Sequence, residues 1–218
     1  MSERFVLFGH PVAHSLSPVI HGAAYRELGL DHRYELLDLP DEAALAGAFG
    51  ELRSGALRGA NVTIPWKRQA LALADRADPS AGDVGAANVL ARDLDGAIVA
   101  HNTDVPALAA ELRALVPAPA TGLVLGSGGA ALAAVAALTR LGAREIGVSA
   151  RRFVPGTPEA SWPGAPDFVR LGAKLVPWAA PGSPVFADFA AQSAVIVQAT
   201  SAGMHGAAPG SEIADVLP

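Results

Sequence analysis

Cysteine is absent from this 218-residue sequence, which excludes disulfide bonds, thiolate catalysis and cysteine-ligated metal sites. Positive charge is also scarce, because 16 lysines and arginines face 21 acidic residues and leave a net charge of −5. A nucleic-acid surface needs clustered lysine and arginine, so we expect no nucleic-acid partner. The six histidines show no metal-ligand spacing, and no metal is expected either.

Long apolar runs are missing as well. The longest candidate, residues 130–141, is too short to cross a bilayer and has Arg140 near its end. The first residues lead directly into the strand-like segment Phe5–Phe8, without the basic start and long apolar core of a signal peptide. We therefore expect a soluble cytoplasmic protein with no membrane partner, present as a monomer or homodimer.

Short apolar runs alternate with helical patterns along the whole chain, which predicts an α/β fold. A proline-rich linker at about 116–122 separates two α/β domains, 1–104 and 105–218. The predicted strands are 5–8, 33–38, 61–64, 88–91, 97–100, 123–125, 146–149, 174–176 and 195–198. The predicted helices are 18–28, 42–52, 65–75, 105–115 and 130–141, and residues 155–166 are predicted as an irregular loop.

A glycine-rich turn follows the first strand of the second half. Gly126, Ser127, Gly128, Gly129 and Ala130 begin a G-x-G-x-x-A pattern that opens a helix. Glycines there let the backbone approach a pyrophosphate at the helix start, although such turns also occur for steric reasons alone. The flanking strand and helix favour a dinucleotide site.

Two arginines, Arg151 and Arg152, follow the next strand, where an NAD site usually has an acidic residue. Guanidinium groups suit a 2′-phosphate, because their planar donors match phosphate oxygens. The alternative is a pair of solvated surface arginines. The pattern favours NADP as the cofactor.

The segment His14–Pro18 contains two serines beside a predicted helix start. Pro18 suits the first helical position, which makes Ser17 a predicted N-cap. Ser15 could turn its hydroxyl to the same place, and two hydroxyls at a helix N-terminus could bind a carboxylate. Capping alone and carboxylate binding both remain open at this point.

Lys67 lies in the first turn of the helix predicted to begin at Pro65. The macrodipole is positive there, so a cation is unfavourable by roughly 0.3–1 kcal/mol. Asn61 and Thr63 precede it on one face of the predicted strand, which suits the wall of a polar pocket. Asp104 and Asn88 are two further polar candidates for a functional site. Each also has a purely structural interpretation, because Asp104 could be an N-cap and Asn88 could satisfy a turn.

Six motifs in this order resemble the shikimate dehydrogenase family across nearly the whole chain. They are His14–Pro18, Asn61–Lys67, Gly85–Asn88, Asn102–Asp104, the glycine turn and Ala199–Met204. The resemblance implies a substrate-binding domain followed by a Rossmann-like domain that binds NADP. It also implies reversible reduction of 3-dehydroshikimate to shikimate, a step in the biosynthesis of aromatic amino acids.

The resemblance further implies a role for each candidate residue. Ser15 and Ser17 would hold the substrate carboxylate, and Thr63, Asn88 and Asp104 would contact the ring hydroxyls, with Asn61 also in the substrate pocket. Lys67 and Asp104 would form the catalytic pair, in which the lysine ammonium donates a proton as hydride arrives. Thr200 would join the glycine turn and the two arginines in cofactor binding.

The chain departs from the family at four places. Gly22 follows His21 where the family has asparagine, Leu132 replaces a basic residue, and Ala150-Arg151-Arg152 replaces Asn-Arg-Thr. The usual C-terminal strand with a tyrosine and helix with a glutamine do not follow Pro218, so a C-terminal part is expected to be missing. These departures leave two alternatives, an NAD-dependent quinate/shikimate dehydrogenase and a non-catalytic shikimate-binding regulator.

Overall fold

The computed structural model describes residues 2–151, 153, 164–178, 184–200 and 202. The predictions for Arg152, for most of the loop 155–166, and for Ser201, Gly203 and Met204 of the last motif lie outside these residues. The chain divides into two compact units, Met1–Thr103 and Asp104–Pro218.

The first unit is built on a six-stranded mixed sheet in the order β2-β1-β3-β5-β6-β4. Its strands are β1 (Arg4–Gly9), β2 (Arg33–Asp38), β3 (Gly59–Val62), β4 (Arg76–Ala77), β5 (Val89–Arg92) and β6 (Ile98–His101). Its helices are α1 (Ser17–Glu27), α2 (Glu42–Ser54), α3 (Lys67–Leu73) and α4 (Pro79–Gly82). β5 runs antiparallel to both β3 and β6, whereas β1 is parallel to β2 and β3.

Alternation along the strands gives this sheet two different faces. Val6 and Phe8 of β1 point into the main core, where they meet Phe49 of α2. On the opposite face, Leu7 packs in a smaller cluster with Tyr34. α1 lies against β2, yet none of its residues is buried.

Helix boundaries in this unit differ from the prediction by one or two residues, and two of these differences have a visible cause. α3 begins at Lys67 and not at Pro65, because Thr63–Trp66 forms a turn in which Trp66 N–H donates to Thr63 O at 3.0 Å. α2 continues to Ser54 and ends at Gly55, whose φ of 82° is the left-handed conformation that glycine adopts without strain. Lys67 nevertheless lies at the start of its helix, as predicted.

The second unit is a parallel sheet in the order β10-β7-β8-β9. Its elements are α5 (Asp104–Leu115), β7 (Thr121–Leu125), α6 (Gly129–Arg140), β8 (Glu145–Ser149), α7 (Ala165–Arg170), β9 (Lys174–Leu175), α8 (Pro184–Gln192) and β10 (Val195–Gln198). Read from β9, the strands stand third, second, first and fourth in chain order, which is the beginning of the order 3-2-1-4-5-6 of dinucleotide-binding sheets. The predicted α/β class with a Rossmann-like second domain is confirmed.

α6 is the central helix of the second unit, and the eight consecutive residues Ala131–Leu138 are buried. Its small alanines allow close packing against α5 and against the sheet. Within the described part of the chain, no helix combines the length and apolar character needed to cross a membrane.

Candidate active site

Several predicted site residues of the first unit meet at one edge of its sheet. Because β5 is antiparallel to its neighbours, its first residues lie where β3 and β6 end. Val62 N–H donates to Asn88 O at 2.8 Å, and Asn88 N–H donates to His101 O at 3.0 Å. Thr63 N–H donates to Phe8 O at 2.8 Å. The strand ends therefore hold Thr63 and Asn88 close together.

Gly9 at the end of β1 permits a tight approach at this edge. A Cβ at Gly9 would overlap Thr63 Cγ2 and would lie 2.6 Å from Val12 Cγ1. His10 N–H donates to Ile64 O at 3.0 Å and continues the contact beyond the strand. The loop that leads to Ser15 is consequently held against the chain around Thr63.

Lys67 is held in place by a hydrogen bond of the preceding Trp66 side chain and by one to its own carbonyl oxygen. The preceding Trp66 is 5% exposed and its Nε1–H donates to Leu39 O at 2.8 Å, which fixes the turn. Lys67 O accepts a hydrogen bond from Ala87 N–H at 2.8 Å, directly before Asn88. The half-buried Lys67 side chain thus starts from an anchored backbone position next to the site edge.

Asn88 is more than the residue of a simple turn. Its Oδ1 accepts from Thr103 N–H at 2.9 Å, and its Nδ2 donates to Thr103 Oγ1 at 2.9 Å. Asn102 is buried beside it, with Nδ2 donating to Ala86 O at 3.0 Å. These bonds fix the chain directly before Asp104, which is the first residue of α5 in the second unit.

The predicted N-cap at Ser17 is wrong. α1 begins at Ser17 itself, and its N-cap is Leu16, whose side chain makes no capping hydrogen bond. Ser15 takes over part of this role, because its Oγ accepts from Ser17 N–H at 3.2 Å. Ser15 Oγ also donates to Ser17 Oγ at 3.0 Å, so the two hydroxyls are adjacent, as carboxylate binding would require.

Tyr34 belongs to this group of polar side chains, and sequence reasoning missed it. Its hydroxyl donates to Asn61 Oδ1 at 2.7 Å. Burial, and to a lesser degree repulsion from an ionised Tyr25, raises the pKa of Tyr34 to about 12, against the lowering effect of the Ser17 side chain. A buried tyrosine needs a hydroxyl partner, and this requirement was the available signal for Tyr34 in β2.

His21 lies over the ring of Tyr34. The two rings are parallel within 1°, and their centroids are 4.0 Å apart. Desolvation by burial lowers the pKa of His21, so the ring is predominantly neutral near pH 7. His21 therefore has a structural role, since it stacks on the ring whose hydroxyl donates to Asn61.

The glycine turn lies at the carboxyl ends of β7 and β10. Gly126 has a φ of 135°, and a Cβ there would lie 2.6 Å from Ala199 O. Its N–H donates to Ser149 O at 2.8 Å. Thr200 is fixed in the same region, where its N–H donates to the side chain of Gln198 at 2.6 Å. β7 and β10 are neighbours on either side of the reversal in strand order, where such sheets bind nucleotides.

The residues around this turn fit a dinucleotide. Gly128 is exposed and extended, a Cβ there would meet nothing within 4 Å, and α6 begins at Gly129 with free N–H groups in its first turn. Ser127 is half-buried and Ala130 is exposed at the same end. Arg151 is exposed two residues beyond β8. The buried Ser149 Oγ has no hydrogen-bond partner among the described residues.

Across the residues with described positions, no group of three or more histidine, aspartate or glutamate side chains could hold a metal ion.

The family model for the shikimate dehydrogenase substrate binding domain matches residues 7–90. A shikimate dehydrogenase (NADP(+)) from Methylobacterium radiotolerans is 39% identical over 95% of this chain and 72% of its own length. Another from Rubrobacter xylanophilus is 44% identical over 66% of this chain, but the match covers only 51% of that relative.

A solved structure is also similar over nearly the whole of this chain. The shikimate 5-dehydrogenase of Thermus thermophilus, crystallised with NADP(H) and shikimate, superposes with a TM-score of 0.75. The two proteins are 35% identical, and the match covers 99% of this chain and 75% of that one.

Replacing Gly126 with alanine should destabilise the second unit by about 2 kcal/mol or more. The new Cβ would collide with Ala199 O, and alanine rarely adopts a φ of 135°. Gly128→Ala is the matched control, because its Cβ meets nothing and its φ is −95°. Urea unfolding followed by circular dichroism measures both variants, and equal losses would contradict the close approach.

The raised pKa of Tyr34 can be read directly, because Tyr25 and Tyr34 are the two tyrosines of the sequence. In Tyr25→Phe, the tyrosinate absorbance should titrate well above the ordinary tyrosine value of 10.0, because burial is the largest cause of the shift and remains when the smaller repulsion from Tyr25 is removed. A folded-state pKa above the unfolded one stabilises the protein below about pH 10, and this contribution is lost as the pH rises from 10 to 12. A midpoint near pH 10 in the folded protein would contradict the burial of the hydroxyl.

Proposed function

Because this chain belongs to the shikimate dehydrogenase family, we propose that it catalyses the reversible NADP(H)-dependent reduction of 3-dehydroshikimate to shikimate. This places it in the biosynthesis of aromatic amino acids. We further propose a cytoplasmic enzyme that acts as a monomer or homodimer.

The observation that carries the proposal is the gathering of polar side chains at one edge of the first sheet. The paired hydroxyls of Ser15 and Ser17, the Asn88 amide bound to Thr103, and the anchored Lys67 all belong to the first unit. They combine hydroxyls, an amide and an ammonium, which are the groups needed to bind a carboxylate and polarise a ring carbonyl.

Substrate binding is assigned to the neutral polar residues. Ser15 and Ser17 would each donate a hydrogen bond to the substrate carboxylate, and a bond to a charged group is worth about 1.5–3 kcal/mol. Asn61 would add its amide to the same pocket, whereas Thr63 and Asn88 would contact the ring hydroxyls. The serine hydroxyls form a ready pair, because they already lie 3.0 Å apart.

Proton transfer is assigned to Lys67. Its ammonium would donate a proton to the oxygen of the substrate carbonyl during reduction and would take it back, as an amine, during oxidation. The start of a helix disfavours a cation, and a nearby carboxylate would offset this cost. We propose Asp104 as that carboxylate, and the bonds between Asn88 and Thr103 fix the backbone directly before it.

NADP binding is assigned to Gly126–Ala130 and Thr200, with Arg151 and Arg152 at the 2′-phosphate. The bound cofactor would supply or accept the hydride. Leu132, where the family has a basic residue, is fully buried in α6 and offers no cation. The phosphate would therefore depend on Arg151 and Arg152. This departure is the reason to keep an NAD-dependent quinate/shikimate dehydrogenase as the second candidate.

Cofactor absorbance assays with shikimate and quinate, each combined with NADP and NAD, test both candidates. The parent protein should prefer shikimate with NADP, and no turnover in any combination would contradict the proposed activity. Replacing both Arg151 and Arg152 with alanine should raise the KM for NADP far more than that for NAD, because only NADP has the 2′-phosphate. Arg144→Ala, at the opposite end of β8, is the control. Equal effects on both cofactors would contradict the phosphate assignment.

Lys67→Met should reduce kcat by roughly 10²–10⁴-fold, because methionine keeps the apolar stem but cannot transfer a proton. Shikimate binding should change much less, and the protein should remain folded, since a cation at a helix start is removed. Arg68→Met removes the adjacent cation of α3 and serves as the control. Retention of about a third of the parental turnover by Lys67→Met would exclude this residue from proton transfer.

A further inference from the structure

We propose that Tyr34 is a positioning residue for the substrate, because its hydroxyl orients the Asn61 amide. The inference rests on the proposed function, since the ligand is the carboxylate-bearing substrate assigned above. None of the six motifs contains Tyr34, and its role follows from the hydrogen bonds around it.

Tyr34 reaches Asn61 across an intervening strand. β2 and β3 both pair with β1, so the two residues are two strands, or about 10 Å, apart. They share a sheet face, because Tyr34 pairs with Phe5 and Asn61 pairs with Leu7. The long phenol side chain covers this separation and ends in an O–H···O bond of 2.7 Å.

The direction of this hydrogen bond follows from the atoms involved. An amide oxygen only accepts, so Tyr34 must donate its single proton to Asn61 Oδ1. The phenol proton is therefore committed to the Asn61 oxygen.

The bond from Tyr34 decides which end of the Asn61 amide a ligand meets. With Oδ1 bound to Tyr34, the Nδ2 group is directed away from that hydroxyl and is left as the donor. An amide free to flip could present its oxygen instead, which would repel a carboxylate. The Tyr34 hydroxyl therefore favours the one amide orientation that suits an anion.

The Tyr34 ring is held rigidly enough for this role. It is 9% exposed and is stacked on His21 at 4.0 Å. The hydroxyl is protonated around neutral pH, as a donor must be, and burial raises its pKa further, to about 12. Phenylalanine at this position would keep the ring and its stack but would remove the donor.

Tyr34→Phe, compared with Tyr25→Phe, tests the proposal. Tyr25 lies in the same aromatic cluster, and its variant also loses a phenol hydroxyl. The hydroxyl that donates to Asn61 is that of Tyr34, so Tyr25→Phe leaves this bond in place. Tyr34→Phe should weaken shikimate binding, measured by calorimetry, by about 3- to 10-fold, the effect of one hydrogen bond. It should raise the KM for shikimate similarly and leave kcat and the KM for NADP within about twofold. Equal behaviour of the two variants would overturn the proposal.

An Asn61→Ala background separates positioning from a structural effect. If Tyr34 acts through Asn61, the loss caused by Tyr34→Phe should fall below about twofold once Asn61 is removed. An unchanged loss in that background would show that Tyr34 does not act through Asn61.

The orientation of the amide can also be tested without ligand. The side-chain amide signal of Asn61, assigned by its loss in Asn61→Ala, should shift in the nitrogen-15 spectrum of Tyr34→Phe and remain in place in Tyr25→Phe. A parent that binds no shikimate would refute the proposed function, yet this shift would still support orientation by Tyr34. An unchanged Asn61 signal would overturn the inference, whatever the protein binds.

Discussion

The antiparallel placement of β5 is the constraint on which the first unit depends. In a purely parallel sheet, a strand begins at the edge opposite to the one where its neighbours end. Because β5 is reversed, Asn88 at its start is bonded both to Val62 at the end of β3 and to His101 at the end of β6. Three separate chain segments therefore supply side chains to one small region without any long loop.

Two glycines at strand ends allow the close packing found around the candidate sites. Gly9 lets the loop after β1 touch Thr63, and Gly126 lets the turn after β7 touch Ala199. In both cases a glycine at the end of a strand leaves space for a neighbouring segment. The side chains of Thr63 and Val12 use this space at Gly9, and the backbone of Ala199 uses it at Gly126. Each unit thus has a glycine that permits a close contact at the strand end near its candidate site.

The sequence predicted those features that depend on neighbours along the chain. Lys67 at a helix start, the glycine turn before α6, and the two-unit α/β class all follow from local patterns and motif order. The Ser17 N-cap was wrong because a proline is compatible with either of the first two helical positions, and the structure uses the second. The bond between Tyr34 and Asn61 could not be predicted, because it requires the order and register of three strands.

The anchoring of α1 has a thermodynamic consequence for the proposed carboxylate pocket. None of its residues is buried, and Val19 and Ile20 remain 68% and 64% exposed, so its contact with the sheet rests on half-buried residues such as His21 and Tyr25. Ser17 is the first residue of this helix. In the proposed function, ligand binding and the docking of α1 would be linked equilibria: an anion bound at Ser15 and Ser17 would stabilise the helix, and any contact that secures the helix would strengthen anion binding equally.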